Sequence, residues 1–321
     1  MTAAEPVPHR PRLVFSLLSA SLACNVAALL TPFMRVRVGL LSDPYSLLNS
    51  VKMMWSRGLY VLAVLVVGFS VLFPFAKLGI LAWVTAGRAL DPRRQRWLSV
   101  VERLGKWSML DVFLVCLILA LTSSQLMVGA RPLIGIPFFV TAILLSMISG
   151  ELLIASLGHD QPEARLVPPM RAGVYLTLNG LALAGTLGLP FLRISDWKLS
   201  NHAYSVVTVV PTLWQEGSFI SAVIVALFLI IAPVSAWIAS ARWWWCRRAG
   251  HPAPLTHARS LMMRRWSMLD VFGLALGIFL VEGEYLMQTE VRWGALFLVA
   301  VLALQKTFQL ALDRALTNSD R

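Results

Sequence analysis

The sequence predicts an all-α polytopic membrane protein, with eight transmembrane helices arranged as two parallel tandem four-helix units. Three observations predict this fold: the composition, the lengths of the apolar segments and an internal repeat. Of the 321 residues, 58% are hydrophobic and 14% are charged, whereas a soluble domain has about a quarter of its residues charged. The mean hydropathy is +0.72. This composition excludes disordered, collagen-like and disulfide-stapled chains, and also an ordinary water-soluble enzyme.

Eight apolar segments are each long enough to cross a hydrocarbon core of about 30 Å as a helix. They span residues 13–33, 59–86, 107–129, 137–157, 173–192, 219–242, 266–288 and 293–313. A backbone in lipid must satisfy its own hydrogen bonds, and barrel strands would be only about 10 residues long, so helices are predicted. The first segment is too long for a signal peptide, and no clear cleavage site follows it, so we expect an uncleaved first span.

The basic residues set the expected orientation. The net charge of +12 would fit a nucleic-acid-binding protein, but the basic residues lie in short loops between apolar segments. With a cytoplasmic N-terminus, 18 of the 28 Lys and Arg residues lie on the cytoplasmic side and 8 on the far side. The positive-inside rule therefore predicts a multi-pass membrane protein with both termini in the cytoplasm and no nucleic-acid partner.

An internal repeat is the most specific pattern in the chain. The heptapeptide WSMLDVF occurs at residues 107–113 and again at 266–272. Other residues recur at the same offset: Trp55 with Trp214, Gly58 with Gly217, and Pro74 with Pro233. Four is an even number of spans, so both halves enter the membrane in the same direction and form parallel repeats.

The repeat and the spans together predict five consecutive parts. These are a cytoplasmic tail (1–12), a first four-helix unit (13–158), a cytoplasmic linker (159–172), a second four-helix unit (173–313) and a cytoplasmic tail (314–321). The longest far-side loops are 34–58 and 193–218. The segment 45–60 has helical spacing of its apolar residues, and it lies in the membrane interface, touches a partner or is a packed connector.

Polar side chains inside the spans are the candidate site residues, because a charge in the bilayer costs at least about 2.5–3.5 kcal/mol and needs a partner, water or a function. They are Lys77, Ser108, Asp111, Glu151, Ser267, Asp270, Glu282 and Lys306. Lys77 could pair with Asp111, and Asp270 with Lys306. Two interpretations stay open: the pairs are structural locks within each bundle, or one of them lines a pocket or gate for a lipid headgroup.

Two further polar or helix-breaking patterns concern the helices themselves. Pro74 and Pro233 lie in the middle of their spans and are expected to kink them. Such kinks either open a crevice that a lipid could use or reflect loose packing. Asn25 and Asn179 lie in the first span of each half and are expected to bond between helices.

The segment 104–113, Leu-Gly-Lys-Trp-Ser-Met-Leu-Asp-Val-Phe, resembles the signature of the paraquat-inducible protein A family, and residues 264–272 resemble it too. The resemblance covers nearly the whole chain. It implies a protein of the bacterial inner (cytoplasmic) membrane, in Gram-negative bacteria, with bundles similar to those of tetraspanins. It further implies work beside a periplasmic mammalian-cell-entry (MCE) domain protein that forms a hydrophobic tunnel. The membrane subunit would load phospholipid into this tunnel or extract it, and so support outer-membrane integrity.

Many members of this family carry a cysteine-rich zinc ribbon before each unit. Here Cys24, Cys116 and Cys246 form no CxxC motif, so we expect neither a metal nor a cofactor. No HExxH, GxSxG or phosphate-binding loop is present, and we expect no enzymatic activity. Two other functions stay open: a proton-coupled secondary transporter of small solutes, and a membrane assembly protein that transports nothing.

Overall fold

The computed structural model of the chain separates into two compact units, Met1–Asp160 and Gln161–Arg321. It describes residues 11–38, 41–56, 58, 60–87, 92–110, 112–114, 116–117, 128–156, 169–195, 201–215, 217–250, 263–264, 266–283 and 289–319. The contact boundary between the units falls within the predicted linker, 159–172.

The first unit is mainly helical. Its helices are α1 (Pro11–Leu30), α2 (Leu47–Ser56), α3 (Tyr60–Val66), α4 (Phe73–Thr85), α5 (Pro92–Gly105) and α6 (Gly135–Ser156). A π-helix, Val67–Leu72, joins α3 to α4, and a 3-10 helix, Lys106–Met109, follows α5. The most extensive helix contact in this unit is between α1 and α6.

The second unit has a similar order of elements. Its helices are α7 (Met170–Gly188), α8 (Val206–Gln215), α9 (Phe219–Val225), α10 (Ala232–Arg248), α11 (Leu269–Gly283) and α12 (Trp293–Ser319). A π-helix, Ala226–Ile231, joins α9 to α10. Here the most extensive helix contact is between α7 and α12.

Each unit also carries a three-stranded antiparallel sheet, which the sequence patterns did not predict. The strands are β1 (Pro32–Val38), β2 (Leu41–Ser46), β3 (Val128–Pro132), β4 (Leu192–Ser195), β5 (Asn201–Tyr204) and β6 (Thr289–Val291). Their orders are β2-β1-β3 and β5-β4-β6, so the strand after the first long helix is central in both sheets. In β1, arginines alternate with apolar residues, which is the period of a strand.

The predicted helix within 45–60 is present as α2, and it begins and ends in the same way as α8. The hydroxyl of Ser46 accepts the N–H of Asn49 at 3.3 Å, and that of Ser205 accepts the N–H of Thr208 at 3.2 Å. Both contacts satisfy a free N–H at a helix start. Beyond the helix ends, Gly58 and Gly217 have φ of 81° and 75°, a conformation that glycine adopts without steric cost.

The two prolines of the second spans follow directly on the π-helices. Pro74 and Pro233 each occupy one of the first positions of α4 and α10. In front of them, the N–H of Phe73 bonds to the carbonyl of Gly68, and that of Ala232 to the carbonyl of Leu227, both five residues earlier. A π-turn is a recognised cause of helix irregularity. The structure therefore shows a departure from α-geometry just before each proline, and a kink at the prolines themselves stays a prediction.

Within the part of the chain that the structure describes, four helices are long and apolar enough to cross a membrane: Arg12–Leu30, Gly135–Leu153, Phe219–Arg248 and Trp293–Leu312. They coincide with the first, fourth, sixth and eighth predicted spans. Shorter apolar helices cover Ser70–Thr85 and Leu269–Val281, within the second and seventh predicted spans. The structure is thus that of a helical membrane protein, and the full set of eight spans stays a prediction.

Candidate functional site

A buried lysine lies within the helices of the first unit. Lys77 on α4 is 3% exposed, and its ammonium donates a hydrogen bond to the hydroxyl of Ser146 on α6 at 2.9 Å. A Cβ placed on Gly105, at the end of α5, would lie 3.3 Å from Lys77 Nζ. The absence of a side chain at Gly105 therefore leaves room for the ammonium, and three helices meet at this charge.

The second unit contains a small cavity with a mixed lining. Its volume is about 30 Å³, which is enough for one or two water molecules. The polar and aromatic residues that line it are Asn179, Trp237, Ser240, Arg264, Ser267, Gln305 and Phe308. Pro233 and Ala236 of α10 line it as well. Because these residues come from α7, α10, α12 and the segment before α11, the cavity lies inside the bundle of this unit.

Arg264 is the cation of this cavity. One guanidinium nitrogen, Nη2, donates to the hydroxyl of Ser240 at 3.3 Å, and the guanidinium carbon lies 4.9 Å from the centre of the Phe308 ring. Burial lowers the pKa of Arg264 to about 10, so the side chain stays charged at neutral pH. A guanidinium has five N–H donors, and among the described side chains only Ser240 accepts a hydrogen bond from it. Arg264 therefore has donors to offer to a further group.

One side-chain bond ties the first and last long helices together in each unit. The Ser21 hydroxyl on α1 donates to the carbonyl of Ala142 at 2.7 Å, and the Asn179 amide on α7 donates to the carbonyl of Val301 at 3.0 Å. The predicted interhelical bond of Asn179 is therefore confirmed. The same prediction was wrong for Asn25, whose amide bonds to the carbonyl of Ser21 within its own helix.

The candidate residues of the first half are only partly brought together. Lys77 contacts Ser146, and Glu151 lies half-buried on α6 with an interaction of its own. Pro74 is buried at the start of α4. Ser108 lies in the 3-10 helix with which the third predicted span begins. Asp111, and with it the predicted pair with Lys77, lies outside the described residues.

In the second half, the structure brings Ser267 and Pro233 to the cavity. Asp270 lies in the first turn of α11, where its carboxylate accepts the N–H of Val271 at 3.1 Å. Lys306 is exposed on α12, Asp270 has a further interaction of its own, and the pair of these two residues stays a prediction. Glu282 lies near the end of α11. Among the described residues, no cluster of three or more His, Cys, Asp or Glu could hold a metal ion.

The sequence patterns missed Arg264, Ser146 and Ser240. Arg264 lies directly before an apolar segment, where a basic residue normally indicates only topology. The available signal was the repeat itself: in the register that aligns the two WSMLDVF copies, Lys77 corresponds to Ala236 and Gly105 to Arg264. The half that lacks the buried lysine thus has an extra arginine at the other position.

The family profile described as paraquat-inducible protein A matches residues 13–161 and again 175–318. The chain belongs to the paraquat-inducible protein A family. Proteins named intermembrane transport protein PqiA, from Escherichia coli K12, Escherichia coli O6:H1 and Shigella flexneri, are each 29% identical to it over 127 residues. These matches cover 38% of this chain and 30% of the length of each relative. No solved structure matches the chain.

Proposed function

We propose that this protein is the inner-membrane subunit of an intermembrane lipid transport system. It passes phospholipid to, or receives it from, the tunnel of a periplasmic MCE-domain protein, and it thereby supports envelope integrity. Its eight spans form two four-helix units of the same orientation, with both termini in the cytoplasm. It catalyses no reaction and needs no cofactor.

The family match across both halves carries this proposal. It is supported by the name of the relatives, which describes transport between membranes, and by four helices suited to a membrane. A lipid in water exposes its chains at a cost of about 0.8 kcal/mol per CH₂ group. Transfer therefore needs a continuous apolar route, and an apolar helical protein that meets a tunnel provides one.

Two measurements on the purified full-length protein test the proposal. The first is copurification with an MCE-domain protein from the same organism after mild detergent extraction. The second is transfer of a fluorescent phospholipid from vesicles containing this protein to that partner. We expect both a stable complex and transfer that depends on this protein. A chain that neither binds the partner nor transfers lipid would contradict the proposal.

The buried ammonium of Lys77 favours a second candidate, a proton-coupled transporter of small solutes. A titratable group within a membrane bundle is a common element of proton pathways. Proton uptake into reconstituted vesicles that requires Lys77, in the absence of any lipid transfer, would favour this alternative.

A further inference from the structure

Among the described residues, a buried or partly buried cation lies at the corresponding helix contact of each unit, but the two units take it from opposite sides of that contact. In the first unit the cation is Lys77 on α4, which faces Gly105. In the second unit it is Arg264, and Ala236 occupies the position that corresponds to Lys77. A large cation therefore faces a small residue in both units, with the two roles exchanged.

The two positions are close together in both units. A Cβ at Gly105 would approach the Lys77 ammonium at 3.3 Å, and Arg264 lines one cavity together with Ala236. A hydroxyl accepts a hydrogen bond from each cation: Ser146 from Lys77 at 2.9 Å and Ser240 from Arg264 at 3.3 Å. The two hydroxyls come from different helices and do not correspond in the repeat. The two units thus share a positive charge at corresponding places, supplied by Lys77 in the first unit and by Arg264 in the second.

A partly buried charge is costly, and a protein retains it when a partner or a ligand compensates the cost. Arg264 opens onto a cavity that also exposes Asn179, Ser267 and Gln305, all of which have hydrogen-bond donors. Donors around a guanidinium are suited to the oxygens of an anion. At about 30 Å³ the cavity has room for such oxygens, and the remainder of a larger ligand would stay outside.

We propose that Arg264, at the place where the first unit has the Lys77 ammonium, is an anion-binding group and binds the phosphate of a phospholipid headgroup. This inference rests on the proposed lipid transport and assigns a site to it. Ser240 lies one turn before Trp243 and Trp244 on α10. Tryptophans concentrate at the depth of the lipid headgroups, which is the depth that this proposal gives to Arg264.

An exchange of the cation between facing positions tests this proposal. Arg264→Gly removes the charge of the second unit, and Arg264→Gly with Ala236→Lys restores it in the arrangement of the first unit. In the first unit, Lys77→Ala and Lys77→Ala with Gly105→Arg form the reciprocal pair. Arg242→Gln is the matched control, because Arg242 is exposed on the same helix as Ser240.

The probes are dioctanoyl phosphatidylglycerol, dioctanoylglycerol, which lacks the phosphate, and inorganic phosphate, each titrated into the full-length protein in detergent. Binding is read from the shift of the thermal unfolding temperature with probe concentration. This shift reports the ligand and is separate from the unfolding temperature without probe. We expect phosphatidylglycerol to bind and dioctanoylglycerol to bind at least about tenfold more weakly, as for loss of a charge-assisted contact.

We expect Arg264→Gly to weaken phosphatidylglycerol binding by about tenfold or more, and the exchanged double variant to recover it to within about threefold. Equal binding by Arg264→Gly and the unaltered protein would overturn the assignment of Arg264. A folded double variant that does not recover binding would overturn the exchange of the cation. Binding of inorganic phosphate as tight as that of phosphatidylglycerol would overturn the lipid as the ligand. If the unaltered protein binds phosphatidylglycerol no better than dioctanoylglycerol, this inference fails while copurification with an MCE-domain protein still tests the proposed function.

Discussion

Replacing Gly294 by alanine places a methyl group against the backbone at the end of α7. Gly294 lies in the first turn of α12, and its N–H donates to the carbonyl of Pro190 at 3.0 Å. A Cβ there would lie 2.5 Å from the carbonyl oxygen of Leu189 and 2.8 Å from that of Pro190. Ordinary contacts begin at 3.4 Å, so the two chain segments would have to separate by about 1 Å.

Backbone atoms cannot move aside as the end of a flexible side chain can. The added methyl group therefore weakens the contact between α7 and α12. Overpacking of this kind costs about 1–3 kcal/mol, against a gain of up to about 1 kcal/mol from the helix preference of alanine. We therefore expect Gly294→Ala to lower the free energy of unfolding by about 1–2 kcal/mol. In the first unit, a Cβ added at Gly135 would lie 2.8 Å from the carbonyl oxygen of Pro32, so Gly135→Ala should also lower the free energy of unfolding.

Unfolding by sodium dodecyl sulfate in mixed micelles, followed by tryptophan fluorescence, measures this change. Gly277→Ala is the matched control, because Gly277 lies within α11 and a Cβ there meets nothing within 4 Å. That variant should be stabilised by about 0.5–1 kcal/mol through helix preference alone. If Gly294→Ala and Gly277→Ala were stabilised equally, the close approach of α12 to the end of α7 would be refuted.

Three further predictions use the same unfolding measurement. Arg264→Met should raise the free energy of unfolding at neutral pH by about 1–4 kcal/mol. The reason is that burial lowers the pKa of Arg264 to about 10. The folded chain therefore begins to lose this proton at a lower pH than the unfolded chain, and the destabilisation is fully present below pH 10; unchanged stability would contradict this. Ser146→Ala should lower the free energy of unfolding by about 1–3 kcal/mol, because it removes the hydroxyl that accepts a hydrogen bond from the Lys77 ammonium. Ser149→Ala should lower it by less, because the Ser149 hydroxyl bonds within its own helix. Asn179→Leu should lower the free energy of unfolding by about 0.5–1.5 kcal/mol through loss of the hydrogen bond to α12. An equal decrease for Asn25→Leu would argue against an interhelical role of Asn179.

Hydropathy and the repeat predicted the features that depend on regular patterns. The first, fourth, sixth and eighth apolar segments have long helices in the structure, because a long run of apolar residues leaves few alternatives to a helix in lipid. The shared register of the two halves also aligns Trp55 with Trp214, and the structure gives the two residues similar surroundings. Both stack edge-on against the aromatic residue five positions later, Tyr60 at 5.0 Å and Phe219 at 4.8 Å.

The sheets and the cation exchange could not be predicted in the same way. Strands such as Leu192–Ser195 and Thr289–Val291 are three or four residues long, too short for an alternating pattern to emerge, and their pairing joins segments far apart in the chain. By sequence alone Arg264 resembled a topology signal, and Ala236 is unremarkable by itself. Only the fold shows that these two positions line one cavity.

The positions of the two π-helices indicate when they arose relative to the internal duplication. A π-turn closes its hydrogen bond over five residues instead of four, so it accommodates one residue more than an α-turn. Here the two π-helices occupy Val67–Leu72 and Ala226–Ile231, which begin and end at equivalent positions of the two halves. A single ancestral segment that acquired its additional residue before the gene doubled accounts for both, so this irregularity is older than the two-unit protein itself.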